Sequence, residues 1–381
     1  MRLLIEASNI RAGGGVSHLV ALLGAANPQQ SGISSVTICA PIKTLELLPD
    51  RSWLTKCRHA LLEKGLYSRR KWQRQVLPTL LTSQDILFVP GGIYHGSFRP
   101  FVTMAQNLLP FMPEERRRFG FSYEYLRCVL LEREQTATFK YADGVIFLTS
   151  GSQEIIVKRI GFAPSRTAVI SHGADAEFFL PPREQKASSA YSAEHPFRFL
   201  YVSIINFYKH QTNVARAIAR MRSRHLPVAL DLVGPAYGPS LQDLKALIAT
   251  FPDADRYIKY QSEIRHHELP RIYAGADAFV FASTCETFGI ILLEAMAAGL
   301  PVACSSRIPM PEIAGSDAVY FDPENVDELE QALITIFENR HDRESLAAAA
   351  FERAKSFSWK RCAEKTFDFL HQASSHAIRL E

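Results

Sequence analysis

The sequence predicts two α/β domains, each built on a parallel, doubly wound sheet. Three observations support this fold class. The chain has 381 residues, which is more than one hydrophobic core usually covers. Short β-branched and aromatic runs alternate along it with helical periodicity, a pattern typical of parallel sheets. A proline-bracketed segment without apolar periodicity, residues 181–196, separates two such series and is predicted to be a linker.

The first predicted domain is residues 1–180. It opens with a strand-like run at 3–7, continues through Gly13, Gly14 and Gly15, and enters an apolar helical pattern, giving strand, glycine loop and helix. Further strands are predicted at 35–40, 86–90, 102–105, 144–149 and 167–171.

The second predicted domain is residues 197–356. Strands are expected at 197–202, 229–233, 258–260, 278–281, 301–304 and 319–321, with helices such as 213–223 and 240–250 between them. Residues 343–375 read as helical throughout. In doubly wound sheets of this kind, ligands bind in the crevice at the carboxyl ends of the strands.

Composition and charge exclude several classes of protein. The six cysteines lie far apart without metal-finger spacing, so they are expected to be reduced thiols. The opening residues lack a secretory apolar stretch and no uncharged run is long enough to span a membrane, which predicts a cytoplasmic protein. The mild positive charge is concentrated in the first half of the chain.

Cations and aromatic residues are interleaved at 64–74, and three arginines follow at 116–118. One interpretation is a solvated helix face. The other is peripheral contact with an anionic membrane or a lipid pyrophosphate, because Tyr67 and Trp72 suit an interface and cations suit phosphate. Binding of nucleic acid is not expected, since no recognised binding motif accompanies these residues.

The most informative stretch for chemistry is 285–302. A hydrophobic strand passes through Gly289 into a helix, so the amides of Thr287, Phe288, Gly289 and Ile290 point outward at a helix N-terminus, where phosphate binds. Carboxylates readily accept hydrogen bonds from hydroxyl groups, so Glu286 and Glu294 beside that anion site suit a sugar and a ribose. Taken singly, Glu286 is equally a charge favoured by the helix dipole and Glu294 an exposed helix residue.

This stretch resembles the retaining glycosyltransferases of family 4, which have the GT-B architecture of two Rossmann-like domains facing a cleft. Their E-x7-E motif is matched by Glu286 and Glu294, together with the Phe-Gly after the first glutamate and the Glu-Ala-Met-Ala-x-Gly-x-Pro-Val around the second. The resemblance implies that Glu286 approaches the donor sugar, Glu294 holds the ribose, and residues 287–290 contact the diphosphate. It also implies that residues 357–381 form a helix packing back on the first domain.

Further positions carry the resemblance to the donor site. Lys209, after the first strand of the second domain, matches the lysine that neutralises the leaving diphosphate, although Ile204 replaces the arginine often found before it. A fixed cation at that place lowers the barrier to departure. Gly14 and Gly15 match the glycine loop near the donor phosphates, and Ser262 and Ile264 fall where the base is selected.

The acceptor side is less defined. Gln106 stands where many family members carry a histidine near the reacting carbon, so no general base is assigned, and Asn107 and His172 are further acceptor-side candidates. Asp253 and Asp255 resemble a metal-chelating pair, but their position between a proline and an arginine favours a loop. We expect no metal and no cofactor.

The resemblance implies a retaining, metal-independent hexosyltransferase with Glu286 and Lys209 as its catalytic residues. The donor is expected to be a nucleoside-diphosphate sugar, with mannose or another hexose, releasing GDP or UDP. The acceptor is expected to be a glycan, in particular a lipid-linked oligosaccharide of O-antigen or exopolysaccharide assembly. Alternatives are a nucleotide-sugar 2-epimerase, a non-catalytic nucleotide-sugar sensor, and a nicotinamide-dependent oxidoreductase, which the histidine at position 18 of the glycine loop disfavours.

Overall fold

The computed structural model describes residues 1–82, 85–262 and 264–377. Their contacts divide them into two compact units. The first unit consists of Met1–Pro113, Phe121–Gly173 and the segment from Ser358 onward, and the second of Glu114–Gly120 and Ala174–Phe357. The division therefore falls after Gly173 instead of after residue 180, and the segment 181–196 belongs to the second unit.

The first unit contains a parallel sheet with seven strands among the described residues, in the order β3-β2-β1-β4-β5-β6-β7. Its strands are β1 Arg2–Glu6, β2 Ser35–Cys39, β3 Leu54–Cys57, β4 Asp85–Val89, β5 Phe101–Ala105, β6 Gly144–Phe147 and β7 Thr167–Val169. Its helices are α1 Gly14–Ala25, α2 Ile42–Leu47, α3 Leu66–Lys71, α4 Pro113–Arg117, which runs into the second unit, α5 Tyr123–Tyr141 and α6 Ser150–Ile160.

The second unit contains a parallel sheet with six described strands, in the order β10-β9-β8-β11-β12-β13. The strands are β8 Phe197–Val202, β9 Val228–Val233, β10 Ile258–Gln261, β11 Ala278–Phe281, β12 Val302–Ser305 and β13 Val319–Phe321. The helices are α7 Gln211–Ser223, α8 Gly238–Ile248, α9 Leu269–Ala274, α10 Ile290–Ala297, α11 Met310–Ala314, α12 Val326–Glu338 and α13 Arg340–Ala354. A last helix, α14 Trp359–Ala377, returns to the first unit.

Both sheets bury their central strands on two faces. Every residue of β4, β5 and β6 is buried, and so is every residue of β11 and β12. Parallel strands that helices cover on both faces have continuous apolar sequences, which is why these strands could be predicted from the sequence. The prediction of two doubly wound α/β domains is confirmed.

Strand β3 is absent from the sequence prediction. It pairs in parallel with β2 and lies at the edge of the sheet, where Leu54 faces Val36 and Cys57 faces Cys39. None of its four residues is fully buried. An edge strand needs apolar side chains on only part of its surface, so the short sequence Leu-Thr-Lys-Cys carries little signal.

Arginine side chains fasten the segment 181–196 to the second unit. The fully buried Arg343 on α13 donates hydrogen bonds to the side chain of Gln185, 3.3 Å away, and to the carbonyl oxygen of Lys186. Arg183 donates to the carbonyl oxygens of Ala274, at 2.9 Å, and Ala276. These contacts are polar and need no apolar periodicity in the segment, which is why the sequence of 181–196 resembles that of a linker.

The aromatic residues of the basic segment, residues 64–74, have different environments. Trp72 is completely buried, with its ring 4.8 Å from that of His59. The expectation that Trp72 lies at a membrane interface is therefore wrong, because it belongs to the core of the first unit, whereas Tyr67 is exposed. Within the described ranges no helix combines the length and apolarity that crossing a membrane requires.

Candidate active site in the second unit

The site is built on the loops that follow β8, β9 and β11. The backbone amide of Thr284 donates to the carbonyl oxygen of Tyr208 at 2.9 Å, which ties the loop after β11 to the loop after β8. Gly234, at the end of β9, has a φ of 134°, and a β-carbon there would lie 2.4 Å from the carbonyl oxygen of Ser203. These contacts fix the loops at the carboxyl ends of adjacent strands, where doubly wound sheets bind ligands.

Lys209 is held in an aromatic and carboxylate environment. It is buried, and its carbonyl oxygen accepts a hydrogen bond of 2.6 Å from Tyr201 Oη. Its Nζ donates to Glu286 Oε1 and lies 5.3 Å and 5.2 Å from the ring centroids of Tyr208 and Phe281. The structure therefore brings together the two residues predicted to be catalytic, 77 positions apart in the sequence.

The turn after Glu286 presents the N-terminus of α10. Gly289 is the N-cap residue with a φ of 93°, a left-handed conformation that glycine adopts without strain. Thr287 and Ile290 are half-buried, whereas Phe288 is buried and packs its ring 5.9 Å from that of Phe357. The first amides of a helix have no partner within the helix, so this turn is suited to bind an anion.

Glu294 lies one turn inside α10 and is buried. Its Oε2 accepts a hydrogen bond of 3.1 Å from Tyr273 Oη, and its Oε1 lies 3.8 Å from His266 Nε2. Burial raises the pKa of the Glu294 carboxyl, and the neighbouring His266 and Tyr273 oppose that shift. The Glu294 carboxylate in turn raises the pKa of His266, so each group favours the charged form of the other.

Ser262 and Ile264 follow β10 and flank Glu263, which lies outside the described residues. Ser262 is exposed and Ile264 is half-buried. Their predicted role in selecting the base stays a prediction.

The remaining predicted residues belong to the first unit. Gly14 and Gly15 form the first turn of α1, and a β-carbon on Gly15 would lie 3.2 Å from Ile10 and 3.5 Å from Gln106 Oε1. The structure thus brings Gln106, after β5, to the glycine loop. Asn107 is held by its own turn, where its Oδ1 accepts a hydrogen bond of 3.2 Å from the amide of Leu109.

His172 packs into a cluster of rings within the first unit. Its Nδ1 lies 3.1 Å from His18 Nδ1, and its ring centroid lies 5.3 Å from that of Trp359 on α14. Burial lowers the pKa of both histidines, to about 4 for His18. Through its ring contact with Trp359, His172 takes part in attaching α14 to the first unit, and its predicted contact with the acceptor stays a prediction.

In the part of the chain that the structure describes, two clusters each place three potential metal ligands within 4.8 Å of one another. One consists of His18, His172 and Cys362 in the first unit, and the other of Asp175, Glu177 and His266 in the second. Asp253 and Asp255 are exposed residues at a short turn. The prediction that the reaction needs no metal remains a prediction, and it is tested below with a chelator.

The comparison with family models identifies the second unit. Residues 182–353 match the model of glycosyl transferases group 1, and this range contains Lys209, Glu286 and Glu294. We call residues 182–353, which match this family's model over less than half of the chain, the group 1 domain. The resemblance deduced from the 285–302 stretch is therefore confirmed at the level of this family.

Relatives and solved structures agree with this assignment. The chain is 35% identical over 112 residues to O-antigen chain mannosyltransferase B of Escherichia coli, covering 29% of each protein. It is 27% identical over 212 residues to sulfoquinovosyl transferase SQD2 of Arabidopsis thaliana, covering 53% of this chain and 39% of that one. The chain thus aligns with well under two thirds of the length of these curated relatives.

The fold extends beyond the group 1 domain. The structure of Anabaena HepE in complex with UDP-glucose matches with a TM-score of 0.70 at 20% identity, covering 98% of this chain and 100% of that chain. At this identity the likeness concerns the fold alone. Both parallel-sheet units therefore have the GT-B glycosyltransferase fold.

Sequence reasoning missed the residues that surround the predicted ones in the group 1 domain. These are Tyr201, Tyr208 and Phe281 around Lys209, and His266 and Tyr273 beside Glu294. Tyr208 directly precedes Lys209 and was the one such residue with a local signal. The others lie on different strands and helices, and no spacing in the sequence links them to their partners.

Proposed function

We propose that this chain is a retaining glycosyltransferase that transfers a hexose from a nucleoside-diphosphate sugar to a glycan acceptor. The observation that carries the proposal is the contact of Lys209 with Glu286 at the turn leading into α10, the helix that carries the buried Glu294 one turn inside it. A cation, the amides at the N-terminus of a helix and two carboxylates would supply separate partners for a diphosphate, a sugar and a ribose.

On this proposal, Lys209 and the amides of residues 287–290 bind the departing diphosphate. Cleavage of the bond between the anomeric carbon and the phosphate oxygen leaves negative charge on the diphosphate, and fixed donors stabilise it most where water is excluded. The acceptor oxygen forms the new bond on the face from which the diphosphate leaves, and its proton passes to a diphosphate oxygen. Glu286 orients the sugar through its hydroxyl groups.

The donor proposed is a mannose nucleotide or another hexose nucleotide. The similarity to an O-antigen chain mannosyltransferase supports mannose, and the fold shared with HepE bound to UDP-glucose supports a UDP-sugar. Either donor releases its nucleoside diphosphate, GDP or UDP, as product. The proposed reaction uses no metal and no cofactor.

The acceptor proposed is a lipid-linked glycan of O-antigen or exopolysaccharide assembly, bound at the cytoplasmic face of an anionic membrane. The basic segment of the first unit and the O-antigen relative support this assignment. Gln106 and Asn107 are proposed to contact the acceptor, since Gln106 lies beside Gly15 at the glycine loop.

Thermal unfolding with a panel of GDP, UDP, ADP and NAD, each with and without EDTA, tests the donor site. We expect one nucleoside diphosphate to raise Tm equally in both conditions, and Glu294→Ala to abolish the shift. Glu338→Ala, which removes an exposed carboxylate on α12, is the matched control and should behave as the unaltered chain. A shift that requires divalent metal would refute the metal-independent reaction.

The matching nucleotide sugars are then incubated with and without lipid-linked glycan, and products are separated by chromatography. Transfer of the hexose to the glycan with an unchanged anomeric configuration supports the proposal. Conversion of the nucleotide sugar without acceptor identifies a 2-epimerase instead, and binding without turnover identifies a sensor.

A further inference from the structure

Helix α5 in the first unit carries an apolar stripe that faces solvent. Tyr123, Leu126 and Leu130 are 74%, 56% and 52% exposed, and Phe121, just before the helix, is fully exposed. Spacings of three and four residues place such side chains on one helix face. A helix on a globular core normally turns its apolar stripe inward, so this one is available to a partner.

Helix α3 extends the exposed surface beyond α5. Leu66 and Tyr67 on α3 are 71% and 84% exposed. The two helices are joined by an ion pair of 2.7 Å between Arg70 Nη2 on α3 and Glu134 Oε1 on α5. We call the exposed apolar residues of both helices, with the cations among them, the α3–α5 surface.

The charge of this surface is positive. Each carboxylate of α5 is paired with an arginine at 2.8 Å or less: Glu124 with Arg127, Glu132 with Arg159, and Glu134 with Arg70. Exposed cations on the same helix are Arg133 and Lys140, and Lys71 is exposed on α3. The pairing neutralises the acidic side chains of α5, so the remaining cations make the net charge of the α3–α5 surface positive.

The exposed side chains of α3 and α5 combine apolar, aromatic and cationic groups, which is the composition of surfaces that lie on anionic lipid. The aromatic and aliphatic groups enter the headgroup region, and the cations meet lipid phosphates. A second copy of the chain would oppose cations to cations across a two-fold interface, which is unfavourable. Charge complementarity therefore favours an anionic bilayer as the occupant.

We propose that the α3–α5 surface docks the first unit on an anionic lipid bilayer. Phe121, Leu126 and Leu130 insert between headgroups, and the cations of α3 and α5 hold the helices parallel to the membrane plane. The inference deepens the proposed function, because a lipid-linked acceptor lies at a bilayer. Its test measures binding alone and does not require sugar transfer.

The test is co-sedimentation of the full chain with vesicles of phosphatidylcholine alone and of phosphatidylcholine mixed with phosphatidylglycerol. We expect binding to the anionic vesicles only, weakened by high salt because lipid and cation charges are screened. The triple variant Phe121→Ser, Leu126→Ser, Leu130→Ser should bind roughly tenfold or more weakly, since three apolar side chains no longer leave water.

Leu47→Ser is the matched control, because Leu47 is 61% exposed on α2 in the same unit and lies outside the α3–α5 surface. It should bind like the unaltered chain. All four side chains are exposed, so thermal unfolding should be unchanged by their substitution and reports any misfolding. A second variant, Arg133→Glu with Lys140→Glu, should reduce the preference for anionic vesicles.

The inference is overturned if the unaltered chain ignores anionic vesicles, or if the triple variant binds them as well as the Leu47→Ser control. A dimer in light scattering that the triple variant converts to a monomer would assign the surface to a second copy instead. If nucleotide binding fails in the thermal panel while vesicle binding follows the α3–α5 surface, the proposed function fails and this inference stands.

Discussion

Replacing Lys209 by methionine removes the ammonium group of the proposed site and keeps most of the buried stem. The Glu286 side chain, 16% exposed, then loses its cation. Removing one partner of a buried pair costs about 3–5 kcal/mol, and the partial exposure of Glu286 lowers our expectation to about 2 kcal/mol, a Tm decrease of roughly 4–8 °C for a unit of this size. Loss of the fixed cation should also lower kcat roughly 10²- to 10³-fold.

A double variant separates these two effects. Lys209→Met with Glu286→Gln removes both charges, so we expect most of the lost stability to return, because no unpaired carboxylate remains. Activity should stay low, since the leaving diphosphate still lacks its cation. Stability is measured by calorimetry, and activity by transfer of labelled hexose from the nucleotide sugar that the thermal panel selects.

The matched control is Lys259→Met, which removes an exposed lysine from β10 of the same unit. It should leave both stability and kcat unchanged. The reasoning is refuted if Lys209→Met retains kcat within about threefold of the control, or if the double variant regains activity together with stability.

Three further predictions concern stability and reactivity. Lowering the pH from about 6.5 towards 4 should destabilise the first unit by up to roughly 3 kcal/mol. Burial depresses the pKa of His18 to about 4, so as the pH falls His18 takes up a proton in the unfolded chain before it does so in the folded chain. Urea unfolding across this pH range measures the loss of stability. Gly234→Ala should lower Tm and weaken nucleotide binding, because the new β-carbon meets the backbone of Ser203; calorimetry and thermal shift measure it. Cys57 should react with iodoacetamide faster at neutral pH than it does in a Cys39→Ala variant, because the hydrogen bond from Cys39 lowers the pKa of Cys57; mass spectrometry of the labelled peptide measures the rate.

Each of these has a contradicting outcome. A His18→Asn variant with the same pH dependence as the unaltered chain would show that the buried histidine does not set it, with the exposed His341→Asn as control. Full stability of Gly234→Ala would mean that the loops after β8 and β9 separate freely. Equal labelling of Cys57 with and without Cys39 would deny the contact between the two thiols.

The sequence predicted the central strands well because their burial on two faces leaves an unmistakable apolar run. It did not predict β3, an edge strand with half-exposed side chains, or the attachment of residues 181–196 through Arg343. Both depend on partners distant in sequence. A single strand or arginine gives no local indication of the element it will contact.

The donor-side candidates could be named from the sequence because part of their arrangement is local, and their roles in binding stay predictions. Glu286 lies in the turn before α10 and Glu294 lies within that helix. Because the two residues are close in the chain, the spacing between them is visible in the sequence. The ring of Phe281 under Lys209 and the pairing of His266 with Glu294 are tertiary contacts between separate elements. Trp72 illustrates the opposite error, since its neighbouring cations suggested an interface and its ring is in the core.

In the proposed function, the contact between Lys209 and Glu286 would couple recognition of the diphosphate to recognition of the sugar. A diphosphate that binds Lys209 competes with Glu286 for the ammonium and leaves the carboxylate in need of donors. A nucleotide sugar provides these as hydroxyl groups, and a nucleoside diphosphate does not. Glu286→Gln should therefore tighten binding of the nucleoside diphosphate several-fold, because a neutral amide competes less for the Lys209 ammonium. It should weaken binding of the nucleotide sugar, because an amide accepts fewer hydrogen bonds from hydroxyl groups than a carboxylate does. Calorimetric titration of both ligands measures the ratio of their Kd values, and an unchanged ratio would mean that Glu286 acts only as the structural partner of Lys209.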